Sequence, residues 1–174
     1  MMIDNAGKQT LLVIENTTEN FALINKTLQN TYLIEHASDS KKGLKLALSD
    51  NPPDLILLDT ALPDMDGYEV CRRLKEQPET QNIPVIFIAA ESSPAEEEKG
   101  LALGAVDYIT KPLSPPIVKN RVKTHLAIKD SIETIHHRIY IKQSTANDCY
   151  SGYFSWLFIL YAQRRIHSGY CILS

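Results

Sequence analysis

The stretch Leu55-Ile56-Leu57-Leu58-Asp59-Thr60-Ala61-Leu62-Pro63-Asp64-Met65-Asp66-Gly67 runs four apolar side chains straight into a carboxylate, a proline and a glycine. An unbroken apolar run of this length lacks the alternation of a half-wet strand. It suits a strand buried on both faces, and such strands belong to parallel sheets covered by helices. Pro63 and Gly67 punctuate the loop that follows. Residues from Tyr68 to Gln77 then carry a helical pattern that stops before Pro78. Asp59 therefore stands at the carboxyl end of a buried strand, at the mouth of an acidic loop.

The same alternation extends in both directions. Thr10-Leu11-Leu12-Val13-Ile14 is a second apolar run. Phe21, Ile24, Leu28 and Tyr32 recur at intervals of three and four, which predicts a helix stopping near Asn30 before a strand at Tyr32 to Ala37. Asp39 or Ser40 can cap a helix carrying Leu44, Leu46, Ala47 and Leu48, which Asn51-Pro52-Pro53 should end. Val85-Ile86-Phe87-Ile88-Ala89 is the fourth strand. Ser93-Pro94-Ala95-Glu96 reads as a capping box with proline at the first helical position, and its helix should close at Gly104. Val106 to Ile109 predicts a short fifth strand, and Ser114-Pro115 opens a fifth helix through Val118, Val122 and Leu126. Five β–α units with short connections predict an α/β protein with a doubly wound parallel sheet. Ligands of such sheets sit outside the carboxyl ends of the strands. The positions there are Glu15, Asn16, Asp59, Ala89 and Lys111.

Composition narrows the class. The 174 residues are long enough for a real core, and at 44% hydrophobic content most of the chain should fold. A net charge of -3 argues against a nucleic-acid-binding surface, so no direct nucleic-acid partner is expected. Cys71, Cys149 and Cys171 are odd in number and far apart, without a C-x-x-C, which suggests neither a zinc site nor a disulfide framework. Met1 to Gln9 is polar and lacks the apolar core of a signal peptide, so a cytoplasmic location is expected.

Three motifs agree in order and spacing. Leu58 to Gly67 resembles the D-x-x-M-P-x-M-D-G stretch of response-regulator receiver domains, with Leu62 in place of the usual methionine. Gly104-Ala105-Val106-Asp107-Tyr108-Ile109-Thr110-Lys111-Pro112 and Leu12-Val13-Ile14-Glu15-Asn16 resemble two further stretches of the same family. The resemblance covers residues 10–129, about two thirds of the chain. It implies a five-stranded sheet in the order 2-1-3-4-5, of the flavodoxin-like kind. It also implies a signalling phosphoacceptor rather than an enzyme, charged by a histidine kinase or phosphotransfer protein.

The resemblance assigns roles residue by residue. Asp59 would be the nucleophile that becomes an aspartyl phosphate. An arbitrary aspartate is more often a cap or a solvated group, but few stand at the end of a buried strand with this loop behind them. Lys111 would pair with Asp59 and then with a phosphoryl oxygen, aimed by a cis bond at Pro112. Pro63 and Gly67 shape the loop. Glu15 and Asn16 occupy the positions of the family's acidic pair and, with Asp59 and the backbone carbonyl of Ala61, would hold Mg²⁺. The neutral amide of Asn16 predicts a weak metal site. Ala89 is atypical, since the family usually has a hydroxyl there that bonds the phosphoryl group; Ser92 or Ser93 could stand in. Tyr108 matches the family's switch aromatic, although a half-buried strand tyrosine needs no such role.

The remainder offers less. Ile128, Ile132, Ile135 and Ile139 are spaced four, three and four, which could pair helices in a homodimer through this extension or through the 93–129 face, or simply belong to an ordinary amphipathic helix. Glu96, Glu97 and Glu98 read as a solvated helix start. Residues 130–142 read as a helical extension or linker. Residues 143–174 change character, show no output-domain motif and suggest a tail that is not an evolved domain. The apolar run from Tyr153 to Ala162 is short for a membrane helix, so a membrane partner is not expected. His136 and His137 are adjacent and face different ways, a poor metal pair. A phosphatase of the haloacid-dehalogenase kind needs an aspartate where Ala61 stands, and Glu15-Asn16-Thr17-Thr18 is no phosphate-binding loop. The competing reading is a pseudo-receiver, a phosphorylation-independent interaction module, which Asn16 and Ala89 favour.

Overall fold

The computed structural model describes residues 7–90 and 94–139. The elements alternate as β1 (Thr10–Ile14), α1 (Thr18–Leu28), β2 (Leu33–Ala37), α2 (Ser40–Ala47), β3 (Leu55–Asp59), α3 (Gly67–Glu76), β4 (Val85–Ala89), α4 (Pro94–Ala102) and β5 (Asp107–Thr110). A further helix, α5, covers residues 115–139. All strand pairs are parallel, in the order β2-β1-β3-β4-β5. The chain divides into two units, Met1–Lys129 and Asp130–Ser174; in the second, the described residues 130–139 are helical.

The side chains of β3 and β4 are buried throughout, as their continuous apolar runs require. Their alternation splits the interior into two layers. Leu11, Val13, Leu55, Leu57, Ile86 and Ile88 pack with Ile24 and Leu28 of α1 and with Val118, Val122 and Leu126 of α5. Leu12, Ile14, Ile56, Leu58, Val85 and Phe87 pack with Ala47 of α2 and with Val70, Cys71 and Leu74 of α3. Leu62, where the motif usually has methionine, lies against this second layer and keeps an apolar contact there.

Several boundaries differ from the sequence reading. β2 begins at Leu33, because Tyr32 still donates its backbone N–H to the Leu28 carbonyl in the turn closing α1. α2 stops at Ala47, well before the Pro52-Pro53 pair: Leu48 has left helical geometry and the Ser49 hydroxyl bonds the Asn51 carbonyl, offering the backbone another partner. β5 lies one residue later than expected. Asp39 caps α2 by accepting from the Lys42 amide at 2.8 Å, as its position predicted. Gly104 closes the turn after α4 at φ +94°. The capping role of Ser93, the Ser92 or Ser93 substitution for a missing hydroxyl, and the tail beyond residue 139 lie outside the described residues.

Gly67 positions the site. Its N–H donates to the Thr60 carbonyl at 3.0 Å, and a Cβ there would fall on the Asp59 carbonyl oxygen and the Thr60 Cα. Only a residue without a side chain lets α3 start this close to the end of β3. Gly67→Ala should therefore destabilise the chain by about 1–3 kcal/mol through forced backbone displacement, measured as a lower urea midpoint with unchanged slope.

Candidate functional site

The alternation that fills the core also assembles the site. Glu15 lies two residues past Val13, Asp59 two past Leu57 and Lys111 two past Ile109, so the period of two carries all three to one side of the sheet. Glu15 and Lys111 continue the ladder by backbone bonds to the Ala37 and Ala89 carbonyls, which locks their direction. The peptide bond between Lys111 and Pro112 is cis, as the resemblance implied.

Asp59 is about 1% exposed and Glu15 is fully buried, an arrangement that two carboxylates tolerate only with compensation. Lys111 supplies it: Nζ stands 2.8 Å from Asp59 Oδ2 and 3.2 Å from Glu15 Oε2. Burial pulls the Lys111 amine down, but the hydrogen bond and charge of Asp59 and the charge of Glu15 outweigh it, leaving the amine above its ordinary value. The other Asp59 oxygen accepts the Ala61 N–H at 3.1 Å. Glu15 also accepts from the Thr17 N–H at 2.9 Å and from the Asn20 amide at 3.2 Å, fastening the start of α1 to the site. His36, stacked on Phe21 at 3.7 Å, donates from Nε2 to the Glu15 carbonyl at 2.9 Å.

The loop after Asp59 is held at both ends. Asp66 caps α3 through the Tyr68 N–H. Asp64 accepts from the Ser40 N–H and hydroxyl at 3.0 and 2.7 Å, tying the loop to the start of α2, and these bonds hold its carboxyl below the usual range. Pro63 and Ala61 are exposed. The pairing of Glu15 with Lys111 and the clasp between Asp64 and Ser40 were not read from sequence; both join residues from separate β–α units, and no local pattern announces them.

The remaining positions fall into two groups. Asn16 is exposed, its amide oxygen 3.4 Å from the Thr17 hydroxyl. The groups shown beside Asp59 are the Glu15 carboxylate, which shares Lys111 with it, and the Ala61 N–H; carboxylate oxygens suit a hard cation that keeps most of its waters. No cluster of three or more His, Cys, Asp or Glu side chains occurs among the described residues. Ala89 and Tyr108 belong to the opposite side of the sheet. Ala89 is buried and brings no donor, while Tyr108 packs beside Phe87, its register partner.

Comparison with known proteins agrees with this geometry. The family model of the response regulator receiver domain matches residues 11–123. A probable cyclic di-GMP phosphodiesterase of Vibrio cholerae is 41% identical over 131 residues, covering 75% of this chain and 30% of that protein. The response regulator PleD of Caulobacter vibrioides is 36% identical over 129 residues, covering 74% of this chain and 28% of that protein. The chain thus spans less than a third of either relative. The crystal structure of the signal receiver domain of a signal transduction histidine kinase from Syntrophus aciditrophicus superposes with a TM-score of 0.62 at 35% identity, covering 68% of this chain and 90% of that one.

If Lys111 neutralises the two buried carboxylates, Lys111→Met should cost roughly 2 kcal/mol at pH 7, less than the ~3–5 of a fully enclosed pair because the amine keeps some water contact. A raised lysine contributes fully below its unfolded pKa of about 10.4 and loses that contribution as pH climbs through the higher folded value. The deficit of Lys111→Met in urea unfolding should therefore be constant from pH 7 to 9 and shrink above about pH 10.4.

Proposed function

The chain belongs to the response regulator receiver family, and from that premise we propose that it accepts a phosphoryl group on Asp59 from a histidine kinase or phosphotransfer protein. The carrying observation is the contact of Lys111 with Asp59 at 2.8 Å, which sets a cation against the nucleophile at the end of a buried strand. An Asp59 oxygen attacks phosphorus as the bond from phosphorus to the donor's nitrogen breaks, and the electron pair leaves with the donor imidazole. Lys111 then follows the new phosphoryl oxygens, and the Ala61 N–H supports the charge that spreads over them. Asp59, Asn16 and the Ala61 carbonyl, with Glu15 nearby, would hold Mg²⁺, which when bound neutralises charge on the transferring group. Glu15 meanwhile keeps Lys111 from collapsing wholly onto the nucleophile, since it shares the amine.

In this reading residues 10–129 are the receiver, residues 130–142 a helical extension or linker and residues 143–174 a tail with no output-domain motif. The intact pair of Asp59 and Lys111 supports phosphorylation over the pseudo-receiver alternative. Among the described residues no helix is long and apolar enough to cross a membrane. The isoleucines at 128, 132, 135 and 139 are each about half exposed on the last helix, which supports pairing of two copies there.

Incubation of the full chain with Mg²⁺ and acetyl phosphate should add about 80 Da to the intact mass, and Asp59→Asn should abolish the gain. No gain across a wide range of Mg²⁺ would sink the proposal. Asn16→Asp, by restoring a formal charge beside the metal, should tighten Mg²⁺ binding by about tenfold or more in calorimetric titration; an unchanged affinity would remove Asn16 from the ligand set.

A further inference from the structure

On the side of the sheet away from Lys111, Tyr108 is held by contacts that its place in β5 does not require. Its Oη lies 2.8 Å from Tyr68 Oη of α3 and 3.0 Å from the Glu96 carbonyl oxygen of α4. Phe87 sits beside both rings, with centroids 5.0 Å from Tyr68 and 5.1 Å from Tyr108. Lys99 of α4 places Nζ 4.5 Å from the Tyr68 ring centroid. Gly100 leaves α4 open to the Tyr108 ring, since a Cβ there would strike the hydroxyl and ring carbons. Burial, then the bond with Tyr68, raises the Tyr108 phenol, keeping it a donor across the ordinary pH range.

Tyr68 also stands close after the phosphoacceptor loop in the chain and shares this layer with the loop's Leu62 and Met65. It follows Gly67, which packs on the Asp59 carbonyl, and its N–H is capped by Asp66. Movement of residues 60–66 thus reaches Tyr68 across a single residue, Gly67, and through the Asp66 cap on its N–H. The alternative route, through the end of β4, has no polar partner to offer, because Ala89 is buried and lacks a hydroxyl.

We propose that Tyr68 is the positioning residue that links the state of Asp59 to α4, through the bond of its hydroxyl with Tyr108. This rests on the phosphoacceptor reading of Asp59. The Glu96 carbonyl can only accept, so Tyr108 donates to it while its own oxygen accepts from the Tyr68 hydroxyl, one chain of bonds running from α3 through β5 to α4. Displacing Tyr68 breaks the first bond of that chain, frees Tyr108 to shift and loosens its hold on α4.

Tyr68→Phe keeps the ring, its contact with Phe87 and its place under Lys99, and removes only the hydroxyl. Amide hydrogen exchange over residues 94–104 of the full chain, with and without acetyl phosphate and Mg²⁺, reads the response, and intact mass reads the phosphorylation in the same samples. The expected result is equal phosphorylation of both chains, with the exchange difference on phosphorylation reduced about fivefold or more in Tyr68→Phe. Adding Ala89→Thr to Tyr68→Phe should recover it. A phosphorylated Tyr68→Phe chain whose α4 responds as in the unsubstituted chain would overturn the proposal, as would loss of phosphorylation in Tyr68→Phe alone, which would place Tyr68 in the reaction itself. An unsubstituted chain whose mass never changes defeats the phosphoacceptor reading, and this one with it.

Discussion

One ammonium between two buried carboxylates is the constraint around which the rest of the structure is arranged. Glu15 and Asp59 end neighbouring strands and are almost wholly out of water, and Lys111 lies within 3.2 Å of both. Two uncompensated carboxylates there would carry a large desolvation cost, which the lysine offsets. The neighbouring elements are secured to these two residues: α1 through Thr17 and Asn20, β2 through His36 on the Glu15 backbone carbonyl, and the acidic loop through Ala61. The charge needed for chemistry and the contacts that close this edge of the sheet are the same groups.

The two sides of the sheet divide the labour. The odd-numbered side chains of β1, β3 and β5 carry the reactive groups toward α1 and α5. The intervening positions carry Phe87, Ala89 and Tyr108 toward α3 and α4. With alanine at position 89, the end of β4 offers no side-chain hydroxyl to carry a change in charge at Asp59 to the other side of the sheet. The loop from Thr60 to Asp66 is the part that touches both: it begins at Asp59, clasps α2 through Asp64 and starts α3 at Gly67. That position gives the loop more leverage than its exposure suggests.

Much of the fold was legible before any coordinates. The bounds of β3 and β4 coincide with the apolar runs, since a strand covered on both faces admits no polar residue before its end. Asp39 announced α2, because a side-chain acceptor before an amphipathic run satisfies the first free amides. Where the reading slipped, local backbone bonds won over stronger signals: α2 ended on the Ser49 turn rather than waiting for Pro52 and Pro53.

The candidate positions of the site were likewise legible in the chain itself, and their wiring was not. Strand-end position singled out Glu15, Asn16, Asp59, Ala89 and Lys111, because parity and strand length follow from sequence alone; the structure joins Glu15, Asp59 and Lys111. That Glu15 shares Lys111 with Asp59, that Asp64 reaches Ser40 and that Tyr68 meets Tyr108 depended on strands and helices separated by 24 to 96 residues being brought side by side. Periodicity reports which face a side chain takes; it carries no information on which distant side chain shares that face, which only the order of the strands and the packing of the helices decide.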